Sequence, residues 1–203
     1  MSERPHPGPA AGPLADRPAT QPADLPALRV AVSDDAPAID TLMKASTREI
    51  FPAFYDEVQT ASAVVHIAHV DPMLLEDGTY FVLETGGEIV ACGGWSRRDK
   101  LFSGEAAQEG LARVLDPATE PARVRAMFVR ADWTRRGLGT RILDACEDAA
   151  RAEGFGGLSL MATLPGVLLY ERYGFRRTRD VEITMPDGVR LAAVEMDRAV
   201  SRR

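Results

Sequence analysis

The sequence predicts an α/β (α+β) fold: a mixed, mostly antiparallel sheet flanked by helices, with elements in the order βααββ-loop-βαβαββ. Three observations carry this reading. Short apolar runs such as Tyr80-Phe81-Val82-Leu83 and Ile89-Val90-Ala91-Cys92 are bounded by turn residues, as strands are. Between other runs, apolar residues return at helical spacing. Gly86-Gly87 and Pro186-Asp187-Gly188 join neighbouring strands over short turns, which makes those strands antiparallel partners.

Taken in order, residues 1–26 hold half of the chain's 14 prolines and little else besides Ala, Gly and charge. Such a segment cannot bury enough surface to offset its ordering entropy, so a disordered tail is expected there and a folded domain over 27–203. Leu28 to Val32 reads as the first strand. Ser33, Asp34 and Asp35 offer helix caps, Pro37 suits a first turn, and Ile39, Leu42, Met43 and Ile50 share one helical face. A second helix is expected from about Asp56 to Ala68, followed by the hairpin around Gly86-Gly87. Residues 99–122 contain Gly104, Gly110, Pro117 and Pro121 and read as a long loop, with a short helical stretch around Leu111 to Leu115. A loop over the substrate and a tolerated surface excursion are both open. Val124 to Val129 is then a strand, Leu138 to Glu153 a helix, Leu158 to Ala162 a strand and Pro165 to Tyr173 a short helix. Two strands near Val181 to Met185 and Leu191 to Met196 close the chain.

The 203 residues suit one domain with one buried core, and 45% apolar with 27% charged residues is an ordinary globular composition. A net charge of −6 argues against a nucleic-acid partner, whose phosphates call for a basic face. No run approaches the roughly 20 apolar residues that span a bilayer, and the N-terminus lacks a secretory h-region, so a cytoplasmic protein without a membrane partner is expected. Cys92 and Cys146, the only cysteines, each sit in an apolar stretch without CxxC spacing and read as buried thiols.

The densest chemistry lies in Met127-Phe128-Val129-Arg130-Ala131-Asp132-Trp133-Thr134-Arg135-Arg136-Gly137-Leu138-Gly139-Thr140. This stretch passes from strand to helix through a basic turn with two glycines. Glycine lets a backbone approach a ligand, and the amides that enter a helix have no intrahelical acceptor. With the helix dipole they form a place for a pyrophosphate, and Arg135 and Arg136 add charge at its edge. The spacing differs from a Walker A loop and from a dinucleotide GxGxxG; a plain glycine turn with exposed arginines is the other reading.

The downstream segment Tyr170-Glu171-Arg172-Tyr173-Gly174-Phe175 changes the balance. With it, the chain from Leu28 to Met196 resembles the GNAT superfamily of N-acetyltransferases. That family pairs a (Gln/Arg)-x-x-Gly-x-(Gly/Ala) turn with a Tyr-x-x-x-Gly-Phe element, and Gly137 and Gly139 fall on the two small positions. No metal is expected from the cysteine and histidine spacing, and the resemblance implies acetyl-CoA as co-substrate. It implies that Met127, Phe128 and Val129 line the pantetheine arm beside a strand bulge, that amides from Arg135 through Thr140, including Leu138, cradle the pyrophosphate, and that Tyr170 protonates the departing thiolate. A phenol at its ordinary pKa is protonated at neutral pH and suits that role; packing alone is the alternative for Tyr170 and the expected role for Tyr173.

Three positions depart from the family pattern. Thr134 replaces the usual Gln or Arg, the link Thr163-Leu164-Pro165-Gly166 lacks the usual asparagine, and Met161 stands where some relatives carry a glutamate base. Glu49, Asp56 and Glu57 on the N-terminal helices are the carboxylates considered in its place. His66 and His69 lie three apart, which is thin ground for a metal pair. Trp95, Arg97 and Arg98 follow the third strand, where similar proteins often contact the acceptor: tryptophan as a wall, arginine for a carboxylate, with a solvent-facing charged strand end as the other reading. The resulting expectation is an acetyl-CoA-dependent N-acetyltransferase for a small-molecule amine, monomeric or homodimeric. A non-catalytic acyl-CoA-binding module and acylation of a protein lysine or N-terminus are the alternatives.

Overall fold

The computed structural model describes residues 25–99 and 113–200. The tail expected over 1–26 therefore lies outside the described residues except for Leu25 and Pro26, as do residues 100–112 of the long loop.

The first strand, β1, is Ala27–Val30, and a short 3-10 turn leads from it into α1 at Ala36–Ile50. Asp35 fixes this corner: it accepts the Val32 amide at 2.8 Å and two bonds from Arg29 at 2.6 and 2.8 Å. Ile39, Leu42 and Met43 are buried as their spacing predicts. The next helix, α2 (Glu57–His66), opens on a capping box in which Asp56 accepts the Gln59 amide and the Gln59 side chain accepts the Asp56 amide. A short helix, α3 (Pro72–Glu76), follows. Five residues are too few to show a helical period, which is why the sequence reading passes over it.

Strands β2 (Tyr80–Thr85) and β3 (Glu88–Ser96) form the expected hairpin, with Gly86 and Gly87 at φ +58° and +78°. A two-residue turn with both residues left-handed matches the strand twist, and only glycine adopts it without strain. Then come β4 (Ala122–Val129), α4 (Leu138–Ala152), β5 (Gly157–Thr163), α5 (Val167–Tyr173), β6 (Arg176–Thr184) and β7 (Arg190–Ala199). The described residues form one seven-stranded sheet in the order β1-β2-β3-β4-β5-β7-β6. Every neighbouring pair is antiparallel except β4–β5.

One expectation from the loop is corrected. Arg113 to Leu115 is extended rather than helical: Val114 bridges Arg98, and the Leu115 amide donates to the Arg97 carbonyl at 2.8 Å. Leu115 is buried in the main core, which fixes this end of the loop.

Helices α4 and α5 cover one face of the sheet, and Leu138, Ile142, Leu143, Cys146 and Ala150 of α4 form the stripe that meets it. Each large member contributes about 1.5–3 kcal/mol by leaving water. The other face carries two separate clusters. One packs α1 and α3 on β2 to β4; the other packs the turn Phe51–Ala53 and α2 on β6 and β7. Cys92 and Cys146 are buried, unpaired thiols, and burial pushes Cys92 up to about 12. Among the described residues no helix is long and apolar enough to cross a membrane.

Candidate active site

The site lies where β4 and β5 part. The two parallel strands pair only at Ala122–Leu158 and Arg123–Ser159, then diverge into a V that opens toward Val129 and Thr163. A bulge in β4 turns it away: Cys92 pairs with Phe128 and Gly94 with Arg125, so Gly93 alone faces both Ala126 and Met127. Ala126 stands at φ +52°, a left-handed conformation rare for a residue with a Cβ. A Cβ on Gly93 would overlap the Met127 Sδ and crowd the Ile142 Cγ2 at 3.1 Å, so the Met127 side chain lies over β3 only because residue 93 has none.

The β4 backbone beyond the bulge is directed by ladder alternation. The Arg130 amide donates to the Val90 carbonyl at 2.9 Å, which puts residues 130 and 128 in hydrogen-bonding register with β3. Residues 129 and 127 therefore turn their N–H and C=O groups the other way, into the V. Met127 and Val129 thus turn backbone toward the V, and the Val129 carbonyl accepts the Ser46 hydroxyl at 2.9 Å. Phe128 is the exception. Its backbone faces β3 and its side chain lies in the α1-side core, so it does not line the V.

The turn into α4 closes the wide end. Thr134 donates its hydroxyl to the Ala131 carbonyl at 2.8 Å, Arg135 adopts φ +62°, and Gly137 adopts φ +78° at the helix N-cap. The Arg141 amide is bonded to the Gly137 carbonyl at 3.1 Å. The amides of Leu138, Gly139 and Thr140 come before that bond and have no acceptor within the helix. A Cβ on Gly137 would meet nothing within 4 Å, so the N-cap itself borders open space. Leu138 is buried and anchors the helix, whereas Thr140, Arg135 and Arg136 are exposed. The Arg136 guanidinium lies 4.5 Å from the Trp133 ring centroid and donates to the Asp132 carbonyl at 3.0 Å. Gly139 has a different job from Gly137: a Cβ there would stand 2.7 Å from Leu169 Cδ2, so its smallness lets α4 and α5 meet.

Tyr170 sits on α5 against α4, 8% exposed, its ring edge-on to Phe175 at 5.7 Å. Gly166 makes room for that ring, since a Cβ would approach Tyr170 Cε2 to 2.8 Å. Burial, with a smaller effect of the nearby Cys146 thiol, pushes the phenol above its ordinary range, so it is a proton donor throughout the neutral region. Tyr173 is structural: its hydroxyl bonds Asp144 at 2.9 Å and Glu147 at 3.0 Å, and Arg198 stacks on its ring.

On the α1–α2 face, the carboxylates singled out from sequence are scattered. Glu49 is exposed on α1, Glu57 is exposed, and Asp56 caps α2. His66 pairs with Asp187 at 3.3 Å rather than with His69. No group of three or more His, Cys, Asp or Glu among the described residues is placed to hold a metal ion. A cleft of about 640 Å³ lies between α1 and α2, lined by Arg48, Tyr55, Asp56, Glu57, Thr60 and Val64 among others.

Trp95, Arg97 and Arg98 lie away from the site. Ser96 pairs with Arg123, so the end of β3 lies at the closed end of the V. Trp95 is 1% exposed in the core, stacked edge-on with Phe155, and therefore walls no pocket. Arg97 is bound to Glu153 at 3.0 Å and Arg98 to Asp77 at 2.8 Å, so neither guanidinium waits for a substrate carboxylate.

Several residues of the site escape sequence reasoning. Tyr55 donates to the Ala192 carbonyl at 2.7 Å and accepts the Leu164 amide at 2.8 Å, joining the α1–α2 turn to β7 and to the link before α5. Gln59 reaches the Arg190 carbonyl at 2.8 Å and Ser62 reaches Asp187 at 3.0 Å. Together they clasp α2 to the β6–β7 hairpin. Glu195 stands directly across from Met161 on β7, on the same face, paired with Arg179 at 2.6 Å. The alternation of β7 could have signalled Glu195; nothing local signals the clasp.

Residues 40–175, about two thirds of the chain, match the family model described as the Acetyltransferase (GNAT) family. No curated protein gives a significant match. Among solved structures, a GCN5-related N-acetyltransferase from Rhodopseudomonas palustris is 18% identical with a TM-score of 0.66, covering 89% of this chain and 99% of that one. A ribosomal-protein-alanine N-acetyltransferase from Brucella melitensis is 15% identical with a TM-score of 0.56, covering 85% and 99%. N-acetylglutamate synthase from Neisseria gonorrhoeae, in complex with coenzyme A and N-acetyl-glutamate, is 18% identical with a TM-score of 0.54, covering 87% of this chain and 35% of that one.

Proposed function

The chain belongs to the Acetyltransferase (GNAT) family, and on that footing we propose that it moves an acetyl group from acetyl-CoA directly to the primary amine of a small molecule. The observation that carries this reading is the V itself. Its edge carries the backbone of Met127 and Val129, α4 begins at its wide end, and Tyr170 packs in the same core cluster as Met127, Val129 and Leu138, which supports a cofactor site there. When bound there, acetyl-CoA supplies the thioester carbon that the amine attacks.

The backbone of β4 holds the arm of the cofactor as an added strand would be held. The amides of residues 138–140 face its pyrophosphate, and the open space at Gly137 admits it. As the new C–N bond forms and the C–S bond breaks, Tyr170 gives its proton to the leaving sulfur. The amine must lose a proton in the same reaction. Glu195, cross-strand neighbour of the apolar Met161, is the carboxylate we assign to receive it. A small acceptor rather than a polypeptide is favoured by the clasp, which joins α2 to the β6–β7 hairpin, and by the cleft beside Tyr55, whose size suits a small molecule.

Thermal-shift titration with acetyl-CoA, on the wild type and on Gly137→Trp, tests the cofactor reading. At a hundredfold excess over Kd, a ligand of the native state adds ~2.7 kcal/mol, or roughly 5–10 °C in a chain of this size. The wild type is expected to shift and the tryptophan variant, whose indole fills the open space, is not. A wild type that ignores acetyl-CoA would remove the reading. An amine screen with detection of released thiol then separates transfer from mere binding.

A further inference from the structure

The bulge that opens the V is an unfavourable arrangement for its own residues, and its support comes from outside β4. Ala126 has a Cβ yet stands at φ +52°, and Gly93 faces two residues where a regular ladder has one. Left to itself, an alanine at this point relaxes toward extended backbone. The Tyr80 hydroxyl prevents it by donating to the Ala126 carbonyl at 2.7 Å, across two strands, from β2 past β3 to β4.

The reach of that ring is itself built. Tyr80 pairs with Gly94 on β3, and a Cβ on Gly94 would stand 2.6 Å from Tyr80 Cδ2. It would also stand 2.5 Å from the Thr79 carbonyl oxygen, so glycine there lets both the β2 backbone and the phenol ring lie close against β3. Gly93 and Gly94 therefore serve one device: the first admits the extra residue of β4, the second admits the side chain that holds it. Tyr80 is fully buried beside the Cys92 thiol, and burial keeps its hydroxyl protonated, hence always a donor. A buried phenol that spans two strands to one carbonyl does more than fill the core, because phenylalanine would fill it as well.

We infer that Tyr80 is a positioning residue for acyl-CoA binding, acting through the Ala126 bulge to keep the Met127 and Val129 backbone turned into the V. It touches no substrate. The inference rests on the proposed cofactor site but adds to it a residue on β2 whose hydroxyl sets the affinity of a site on β4.

The test is Kd for acetyl-CoA by calorimetry, with the melting temperature of the ligand-free protein, on wild type, Tyr80→Phe, Ala126→Gly and the double variant. Tyr80→Phe is expected to weaken acetyl-CoA about tenfold, the worth of one net hydrogen bond, at temperatures well below its melting point. Glycine at 126 holds the left-handed backbone without help, so the double variant should regain most of that affinity. A merely structural role would lower the melting temperature and leave Kd alone. If Tyr80→Phe does not fold, Ala126→Val serves instead: a β-branched residue resists the same backbone with Tyr80 intact and should lose affinity likewise. Wild-type Kd in the phenylalanine variant, or in the valine variant when that one serves, overturns the inference alone. Loss without rescue by glycine also overturns it, since Tyr80 would then act by another route. A wild type that binds no acetyl-CoA would remove the cofactor reading and this inference with it.

Discussion

The two faces of the V are built from different materials. On the α4 side the surface is backbone: the inward groups of Met127 and Val129 and the amides of residues 138–140, made accessible by a bulge and by Gly137. On the α1–α2 side it is side chains, and most of those already have partners. Asp56 caps a helix, Ser62 and His66 hold Asp187, Tyr55 ties β7 to the link before α5, and Glu195 holds Arg179. A backbone surface suits a ligand common to many reactions, because it reads shape and phosphate. A side-chain surface suits whatever distinguishes one acceptor from another, and can change without disturbing the first.

This contrast can be broken at Tyr170, buried on α5 in the core on the α4 side. Tyr170→Phe removes the proton for the leaving thiolate and should lower kcat by roughly a thousandfold while acetyl-CoA Kd stays within about twofold. Unchanged turnover across the pH range would make Tyr170 a packing residue and leave the sulfur to water. A smaller effect is expected on the acceptor face. Glu195→Gln should reduce kcat/KM for the amine by roughly a hundredfold at neutral pH, with the loss shrinking as pH nears the amine's own pKa of about 10. A pH-independent loss would instead mark Glu195 as a support for Arg179 and β6.

The smallest expected effect separates the two glycines of the turn. Gly139→Ala drives a methyl into Leu169, at a net destabilisation of about 1–2 kcal/mol after the gain in helix propensity, or roughly 2–8 °C. It should leave acetyl-CoA Kd nearly unchanged, because the amide at 139 is still there. A strong loss of affinity with no loss of stability would show that Gly139 faces the ligand.

Those two glycines also show how far the sequence reaches. In the motif Gly137 and Gly139 look equivalent, yet one supplies a left-handed N-cap with open space and the other a close helix contact. The hairpin at Gly86-Gly87, the α4 stripe and the short helix that carries Tyr170 were legible, because each is a local matter of periodicity, turn chemistry or motif. Trp95 and Arg97 were misplaced for a reason that no local signal corrects. Following a strand says nothing about which end of the sheet that strand reaches, and pairing of Ser96 with Arg123 put them at the closed end of the V. Phe128 failed by one residue of alternation, which depends on the ladder that a strand joins.

What the sequence alone determined is the order of elements apart from α3, the stripe that seats α4 and a glycine turn into a helix followed downstream by a tyrosine. These depend on residues within a few positions of one another. Tertiary structure decided the rest: that β4 and β5 part after two pairs, that Tyr80 reaches Ala126 across β3, that Tyr55 and Asp187 clasp α2 to β7, and that Glu195 faces Met161. Each joins residues 34 to 137 positions apart. Their energies come from register and packing, which exist only once the sheet has formed.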